Sequence, residues 1–276
     1  MIRRFEGRTA LVTGGAAGIG RAIAGELLVE GARVLVADRD AAGLTALPEE
    51  FETIEIDLAG RDAPGELGRL AEERLGGVDV LVNNAGFGLY GPVEDIGIEE
   101  ARYQFEVNVV GTARLTQLLL PAMREKRSGT IVNITSMGGK IYTLLGAWYH
   151  ATKHALEGWS DCLRLELAPF GIRVMIVEPG LIETEFGGVV VSGLLARSGS
   201  GAYTKQIQAV AKSTQEAYGH GRGTPPEVIA RVVSQSVRAK KPRTRYVAGK
   251  YAKPMIRLRV CFGDRMFDRV ITSQMR

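Results

Sequence analysis

The sequence is poor in the residues that build metal centres and covalent cross-links. Its 276 residues include 2 cysteines and 3 histidines. Cys162 and Cys261 are far apart and belong to no CxxC pair, which excludes a disulfide framework and a thiolate zinc site and leaves both expected as small apolar fillers. His150 and His154 stand four residues apart, yet no nearby carboxylate or third histidine completes a ligand set, so no metal is expected and the two read as solvated helix positions; His220 is the third histidine. No apolar run of about 18 residues occurs to span a bilayer, and "MIRRFEGRTALVTGG" leads into a strand rather than a secretory core. These absences lead to the expectation of a soluble, cytoplasmic protein.

What is present is ordinary in amount and uneven in placement. Hydrophobic residues make up 45% and charged residues 24%, enough for one well-filled domain over 1–276. The net charge of +4 hides a division: from Arg238 onward 12 basic residues face 2 acidic ones, whereas the preceding 237 residues carry 23 basic against 29 acidic. A basic segment over about 238–276, with apolar residues mixed into its helical part, suits peripheral contact with an anionic membrane; it lacks any motif that reads nucleic acid.

Along the chain, short apolar runs alternate with helix-periodic segments. The runs "TALVTG", "RVLVAD", "ETIEID", "VDVLVNNAG", "GTIVNITS", "IRVMIVEPG" and "TRYVA" predict seven strands. Helices are predicted from Ile19 to Gly31, near 64–75, across about 99–123, from the "WYHATK" stretch to about Ala168, from Pro226, and from Ala252 onward. The pattern implies an α/β, doubly wound Rossmann fold with a mainly parallel sheet and helices on both faces. The glycine- and serine-rich stretch over about 185–225 is expected to be a loop, or short helices, over the site.

Two features bear on chemistry. "TGGAAGIG" (13–20) links the first strand to the first helix. Gly14, Gly18 and Gly20 permit a tight turn, and the helix start at Ile19 offers free N–H groups to a pyrophosphate. Asp38 ends the second strand 18 residues after Gly20, where its carboxylate would accept from ribose hydroxyls and repel a 2′-phosphate; NAD is therefore favoured over NADP, although Arg39 beside it could stack on adenine or meet that phosphate. Asp57 and Leu58, closing the third strand, are placed to touch the adenine. Second, Tyr149 and Lys153 share a helix face, and an ammonium beside a phenol would lower its pKa toward working pH, as a general acid/base requires. Ser136, thirteen residues upstream at a strand's carboxyl edge, could hold the same substrate oxygen.

These motifs, with "NNAG" at 83–86, Asn108 in "FEVNVVGT" and "PGLIET" at 179–184, resemble the short-chain dehydrogenase/reductase family in order and spacing. The resemblance implies that Tyr149 is the acid/base, that Lys153 contacts the nicotinamide ribose and lowers the tyrosine's pKa, that Ser136 holds the substrate oxygen and that Asn108 anchors a relay water. It places Asn84, Ala85 and Gly86 beside the adenine ribose, and Pro179, Gly180, Ile182 and Thr184 around the carboxamide. It also implies a homodimer or homotetramer through the helices near 99–123 and 147–168. The expected reaction is hydride transfer between a nicotinamide cofactor and a secondary alcohol or ketone. Met137, Leu144, Leu145 and Trp148, between serine and tyrosine, suggest an apolar substrate of steroid, retinoid or long-chain type. The alternatives are a dinucleotide-binding regulator without turnover and a membrane-associated interaction module on the same fold.

Overall fold

The computed structural model describes residues 4–198, 201–219 and 221–273; His220 lies outside them. Seven strands, β1 (Thr9–Thr13), β2 (Arg33–Asp38), β3 (Glu52–Glu55), β4 (Val80–Asn83), β5 (Gly129–Ile134), β6 (Ile172–Pro179) and β7 (Arg245–Ala248), form one sheet in the order β3-β2-β1-β4-β5-β6-β7. Every pairing is parallel.

Side chains alternate across this sheet with a period of two, and each face has its own helices. Ala10, Val12, Val34, Val36, Val80, Val82, Val132 and Val177 point to one side, where they meet Ile23 and Leu27 of α1 (Gly18–Val29) and Ile229, Val233 and Val237 of α9 (Pro226–Arg238). Leu11, Leu35, Leu81, Ile131 and Val174 point to the other. There they meet Leu67 and Ala71 of α3 (Ala63–Leu75), Leu115 and Leu119 of α5 (Thr112–Glu125), and Leu163 and Leu167 of α6 (Ala147–Leu167). The short α2 (Ala41–Thr45) follows β2, its N-cap Asp40 accepting from the Gly43 N–H. Strand order reverses between β1 and β4, which opens a crevice at the carboxyl ends of the strands.

The single helix expected over 99–123 is three pieces: α4 (Ile98–Phe105), a π-helical turn (Glu106–Gly111) and α5. Wide turns of this kind concentrate at functional sites, and this one carries Asn108. The stretch expected to be loop or short helices folds as two helices of 13 and 15 residues, α7 (Phe186–Ser198) and α8 (Thr204–Tyr218). Val191 and Leu194 of one pack on Ile207 and Ala211 of the other, giving the pair a small core of its own. The last helix, α10 (Ala252–Ser273), breaks at Gly263, whose φ of 71° and ψ of 178° are not helical. Both cysteines expected as fillers are exposed, because each lies on the solvent side of its helix. No helix among the described residues is long and apolar enough to cross a membrane, and none of their His, Cys, Asp and Glu side chains form a group fit for a metal.

Candidate active site

The crevice holds a cleft of about 380 Å³ that runs from the glycine turn to the start of α6. At one end Gly14 has φ of 64°, and a Cβ there would stand 2.7 Å from Ala85 Cα. Gly20, on the first turn of α1, is pressed still closer: its Cβ would lie 2.0 Å from Gly14 O. Such contacts demand glycine and draw the turn tight under the cleft. Asn84 binds the turn from the other side, donating from Nδ2 to Thr13 O (3.0 Å) and Gly14 O (2.8 Å). Ala17, the N-cap of α1, supplies no side-chain cap, and the first turn of the helix holds no acidic residue. Its leading N–H groups therefore face the cleft beside Gly18 and Ile19, a donor set suited to a diphosphate.

Asp38, Arg39, Asp57 and Leu58 line the next part of the cleft. Asp57 lies two residues beyond the end of β3. Asp38 accepts from the N–H of Ala16 (3.0 Å) and of Asp40 (3.1 Å), so the carboxylate is held facing the glycine turn. A residue the sequence did not single out, Tyr103 of α4, joins Arg39 to Asp57: Arg39 Nη1 donates to its hydroxyl at 2.6 Å, and that hydroxyl donates to Asp57 Oδ2 at 2.6 Å.

At the far end Ser136, Tyr149 and Lys153 converge. Ser136 leaves β5 in extended backbone, accepts from the Gly138 N–H at 2.9 Å, and turns its own proton to the Tyr149 phenol. Tyr149 and Lys153 are 8% and 5% exposed, on one face of α6. The ammonium stands 6.0 Å from the phenol ring centroid and donates to Ile134 O at 3.1 Å. Burial pushes the phenol up to about 12 against the lowering effect of the Ser136 hydrogen bond, and pulls Lys153 down to about 8 against the negative charge of Glu157. The expected lowering of the phenol by the lysine does not occur in the protein alone. Both groups lose hydration, and each neutral form gains.

Asn108 ties three segments together: its Oδ1 accepts from the Phe87 N–H (3.0 Å), and its Nδ2 donates to Phe87 O (3.1 Å) and Thr152 Oγ1 (3.0 Å). Its amide and the Lys153 ammonium both press on Gly86, where a Cβ would lie 3.0 Å from Asn108 Oδ1 and 3.6 Å from Lys153 Nζ. Asn83 serves the sheet, donating to Asn133 Oδ1 and Thr116 Oγ1. Pro179, Gly180, Ile182 and Thr184 line the cleft with Ala85 and Gly86.

Of the four residues expected to meet substrate along with Ser136 and Tyr149, Met137 lines the cleft. Leu144 packs on the cluster that Ile141 forms with Phe267 and Ile271 of α10, Leu145 lies against the α7–α8 pair, and Trp148 packs on Leu89, Ile96 and Ala101. Rings from distant segments take the place expected for them. Tyr90 and Phe186 lie 5.7 and 5.5 Å from the Tyr149 ring, and Tyr218 lies 6.1 Å from Phe186. His150, expected in solvent, is buried: its Nε2 accepts from the Thr143 N–H (3.0 Å), which leaves the proton on Nδ1 to donate to Gly138 O (2.9 Å). Burial holds it neutral, down to about 4. His154 is exposed.

An uncapped helix over a glycine turn, an acidic residue closing β2 and a serine, tyrosine and lysine at the opposite end define a dinucleotide-dependent oxidoreductase cleft. The family model for short chain dehydrogenases matches residues 8–193. The NADPH-dependent 3-dehydrocapnine reductase of Ornithobacterium rhinotracheale is 31% identical over 98% of both chains. Human 17-beta-hydroxysteroid dehydrogenase type 1 is 34% identical over 80% of this chain and 67% of its own. Among solved structures, a short-chain dehydrogenase from Streptomyces avermitilis superposes with a TM-score of 0.81 at 33% identity, over 97% of this chain and 95% of that one. The chain belongs to the short-chain dehydrogenase/reductase family and is an oxidoreductase that works with a nicotinamide cofactor.

Proposed function

We propose that the protein interconverts a bulky, apolar secondary alcohol and its ketone, with Tyr149 as the acid/base and NAD(H) as the preferred cofactor. The observation that carries this is the meeting of Ser136, Tyr149 and Lys153 at the end of a cleft whose other end suits a diphosphate. When bound, the nicotinamide supplies or accepts the hydride. Ser136, with its Oγ accepting from the Gly138 N–H, keeps its hydroxyl beside the phenol and turns its proton from Tyr149 to the substrate oxygen when that oxygen arrives. Tyr149 gives its phenolic proton to that oxygen in reduction and takes it back in oxidation. Lys153, held to Ile134 O, keeps an ammonium beside the phenol and stabilises the phenolate that forms.

An apolar substrate is supported by the wall above Tyr149, where Tyr90, Phe186, Val189, Tyr218, Met137 and Ile141 line the cleft. Burial raises the phenols of Tyr90 and Tyr218 beyond their ordinary range, so this wall stays uncharged. The human relative acts, by its name, on hydroxysteroids. The NAD preference rests on Asp38; the capnine reductase relative is, by its name, NADPH-dependent. A screen of lipophilic and small polar alcohols with both cofactors tests the reading. Turnover of sugars or polyols alone would overturn it.

We further propose that α10 rests on an anionic membrane. Val260, Phe262 and Met266 are exposed around the Gly263 break, among exposed Lys253, Arg257, Arg265 and Arg269. The inner side of the same helix packs Phe267 and Ile256 on the site segment around Ile141, so an apolar substrate dissolved in lipid would meet the enzyme beside its cleft. Co-sedimentation with phosphatidylglycerol vesicles, and not with phosphatidylcholine vesicles, is the expected result; equal or absent recovery on both would contradict it. A homodimer or homotetramer through α5 and α6 is supported by exposed Leu118 and Leu165, and sedimentation equilibrium tests it.

A further inference from the structure

Arg39 follows Asp38 at the end of β2, where a cofactor's ribose is expected, and its exposed side chain has reach enough for more than one partner. It crosses to α4. Its Nη1 donates to the Tyr103 hydroxyl at 2.6 Å, with the guanidinium carbon 5.9 Å from the centroid of the Phe87 ring. Phe87 and Tyr103 are themselves in contact, ring centroids 5.6 Å apart. The Tyr103 hydroxyl passes its proton to Asp57 Oδ2 at 2.6 Å, while Asp57 Oδ1 accepts from the Ala59 N–H at 3.0 Å. Burial and the Asp57 carboxylate both hold the Tyr103 phenol above its ordinary range, so the proton stays and the chain keeps one polarity, from guanidinium to phenol to carboxylate.

We propose that Tyr103 is a positioning residue for cofactor choice: by tying Arg39 to Asp57 it withholds from the ribose the cation that a 2′-phosphate would need. This deepens the proposed function and rests on it. The basic side chains among the described lining of the cleft are Arg39, His150 and Lys153, and the last two stand at the catalytic end. With Arg39 committed to α4, the charge that faces the ribose is the Asp38 carboxylate. It accepts from hydroxyls and repels phosphate, which favours NAD(H). Tyr103 does not line the cleft itself, so it acts through the arginine.

Fluorescence titration with NADH and with NADPH, in the dark and without substrate, tests this on the wild type, Tyr103→Phe, Arg39→Gln and the double variant. Tyr103→Phe keeps the ring against Phe87 and deletes the bridge. NADH is expected to bind the wild type more tightly than NADPH, and Tyr103→Phe should narrow that ratio by roughly five- to tenfold through tighter NADPH binding, the scale of one charge-assisted contact redirected. Arg39→Gln should change NADPH binding little in the wild-type background and abolish the gain in the Tyr103→Phe background. A ratio that Tyr103→Phe leaves unchanged would overturn the proposal. So would Arg39→Gln weakening NADPH equally in both backgrounds, because Arg39 would then already serve the phosphate. A wild type that binds neither dinucleotide would overturn the proposed function itself, and this inference with it. Were Tyr103→Phe not to fold, the Arg39→Gln titration alone decides, since a marked loss of NADPH affinity contradicts the commitment of Arg39 to Tyr103.

Discussion

The Lys153 ammonium lies 6.0 Å from the centroid of the Tyr149 ring and makes its hydrogen bond to Ile134 O, on β5. The two groups share a helix face as their spacing requires, yet burial dominates both. The phenol is pushed up to about 12 and the amine down to about 8, so the resting pair at neutral pH is a protonated phenol beside an ammonium. On the acid/base role proposed for Tyr149, the site rests as a proton donor, the form that ketone reduction would consume.

Alcohol oxidation needs the deprotonated phenol with the Lys153 ammonium still beside it, so its rate is expected to climb with pH from 7 toward about 8, where Lys153 begins to lose its proton, while ketone reduction stays level or falls. Initial rates in each direction across that range, at saturating cofactor, check the slope. Oxidation that is flat over the range would mean that Tyr149 is already ionised.

His150 contributes to stability in a pH-dependent way. Its imidazole is held at about 4 in the folded chain, below its ordinary 6.5, because burial disfavours the charged form. An unfolded chain binds a proton between those values and the folded chain does not, so stability is complete above about pH 6.5 and is lost as pH falls toward 4. The loss at full extent is about 3 kcal/mol. Denaturant melts of the wild type and His150→Gln should converge as pH falls, the variant lacking this part of the slope.

Glu178 behaves in the opposite sense. Buried against Glu157, its carboxyl is raised, first by burial and then by its neighbour's charge, even though Arg245 lies 3.2 Å from its own Oε1 and, with Lys140, also reaches the Glu157 carboxylate. The folded chain holds this proton where an unfolded one would release it, so stability present below about pH 4.5 is lost as pH rises above that value. Glu178→Gln keeps the shape without the charge and should stabilise the protein at pH 8 by on the order of 1–3 kcal/mol, read from urea melts.

Phe186 touches both Tyr149 and Tyr218, at 5.5 and 6.1 Å between ring centroids. Phe186→Ala should lower kcat/KM for a bulky apolar alcohol by roughly 10–100-fold and leave a small alcohol nearly unaffected, the discrimination that lost apolar contact provides. Equal losses on both would place the ring outside the substrate's reach.

The doubly wound sheet was legible because it is written in short-range pattern: alternating apolar residues in each strand, and glycines where the turn closes on Ala85 and Gly14 O. The positions of Ser136, Tyr149 and Lys153 could be read because strand ends and helix faces place them regularly. What was not legible depends on distant segments. The glycines and serines of the stretch left loop and short helix both open; Val191 and Leu194 find an apolar partner in α8, and two full helices form. Nothing local marks the π turn at Asn108, or tells that Tyr103 answers Arg39 across 64 residues of sequence. Leu144, Leu145 and Trp148 are near Tyr149 in sequence, but their apolar surfaces belong to α10, to the α7–α8 pair and to the 89–101 segment. His150 looked solvated because the loop that it clasps, 138–143, lies behind its helix.

The most direct test is Tyr149→Phe, measured for NADH affinity and for turnover of the best alcohol in the screen. Loss of one phenolic hydroxyl should lower kcat by about a thousandfold, within the range for a general acid/base, and leave the NADH dissociation constant within about twofold. Turnover that survives the substitution, with NADH still bound, would show that the proton moves by another route and would contradict the account.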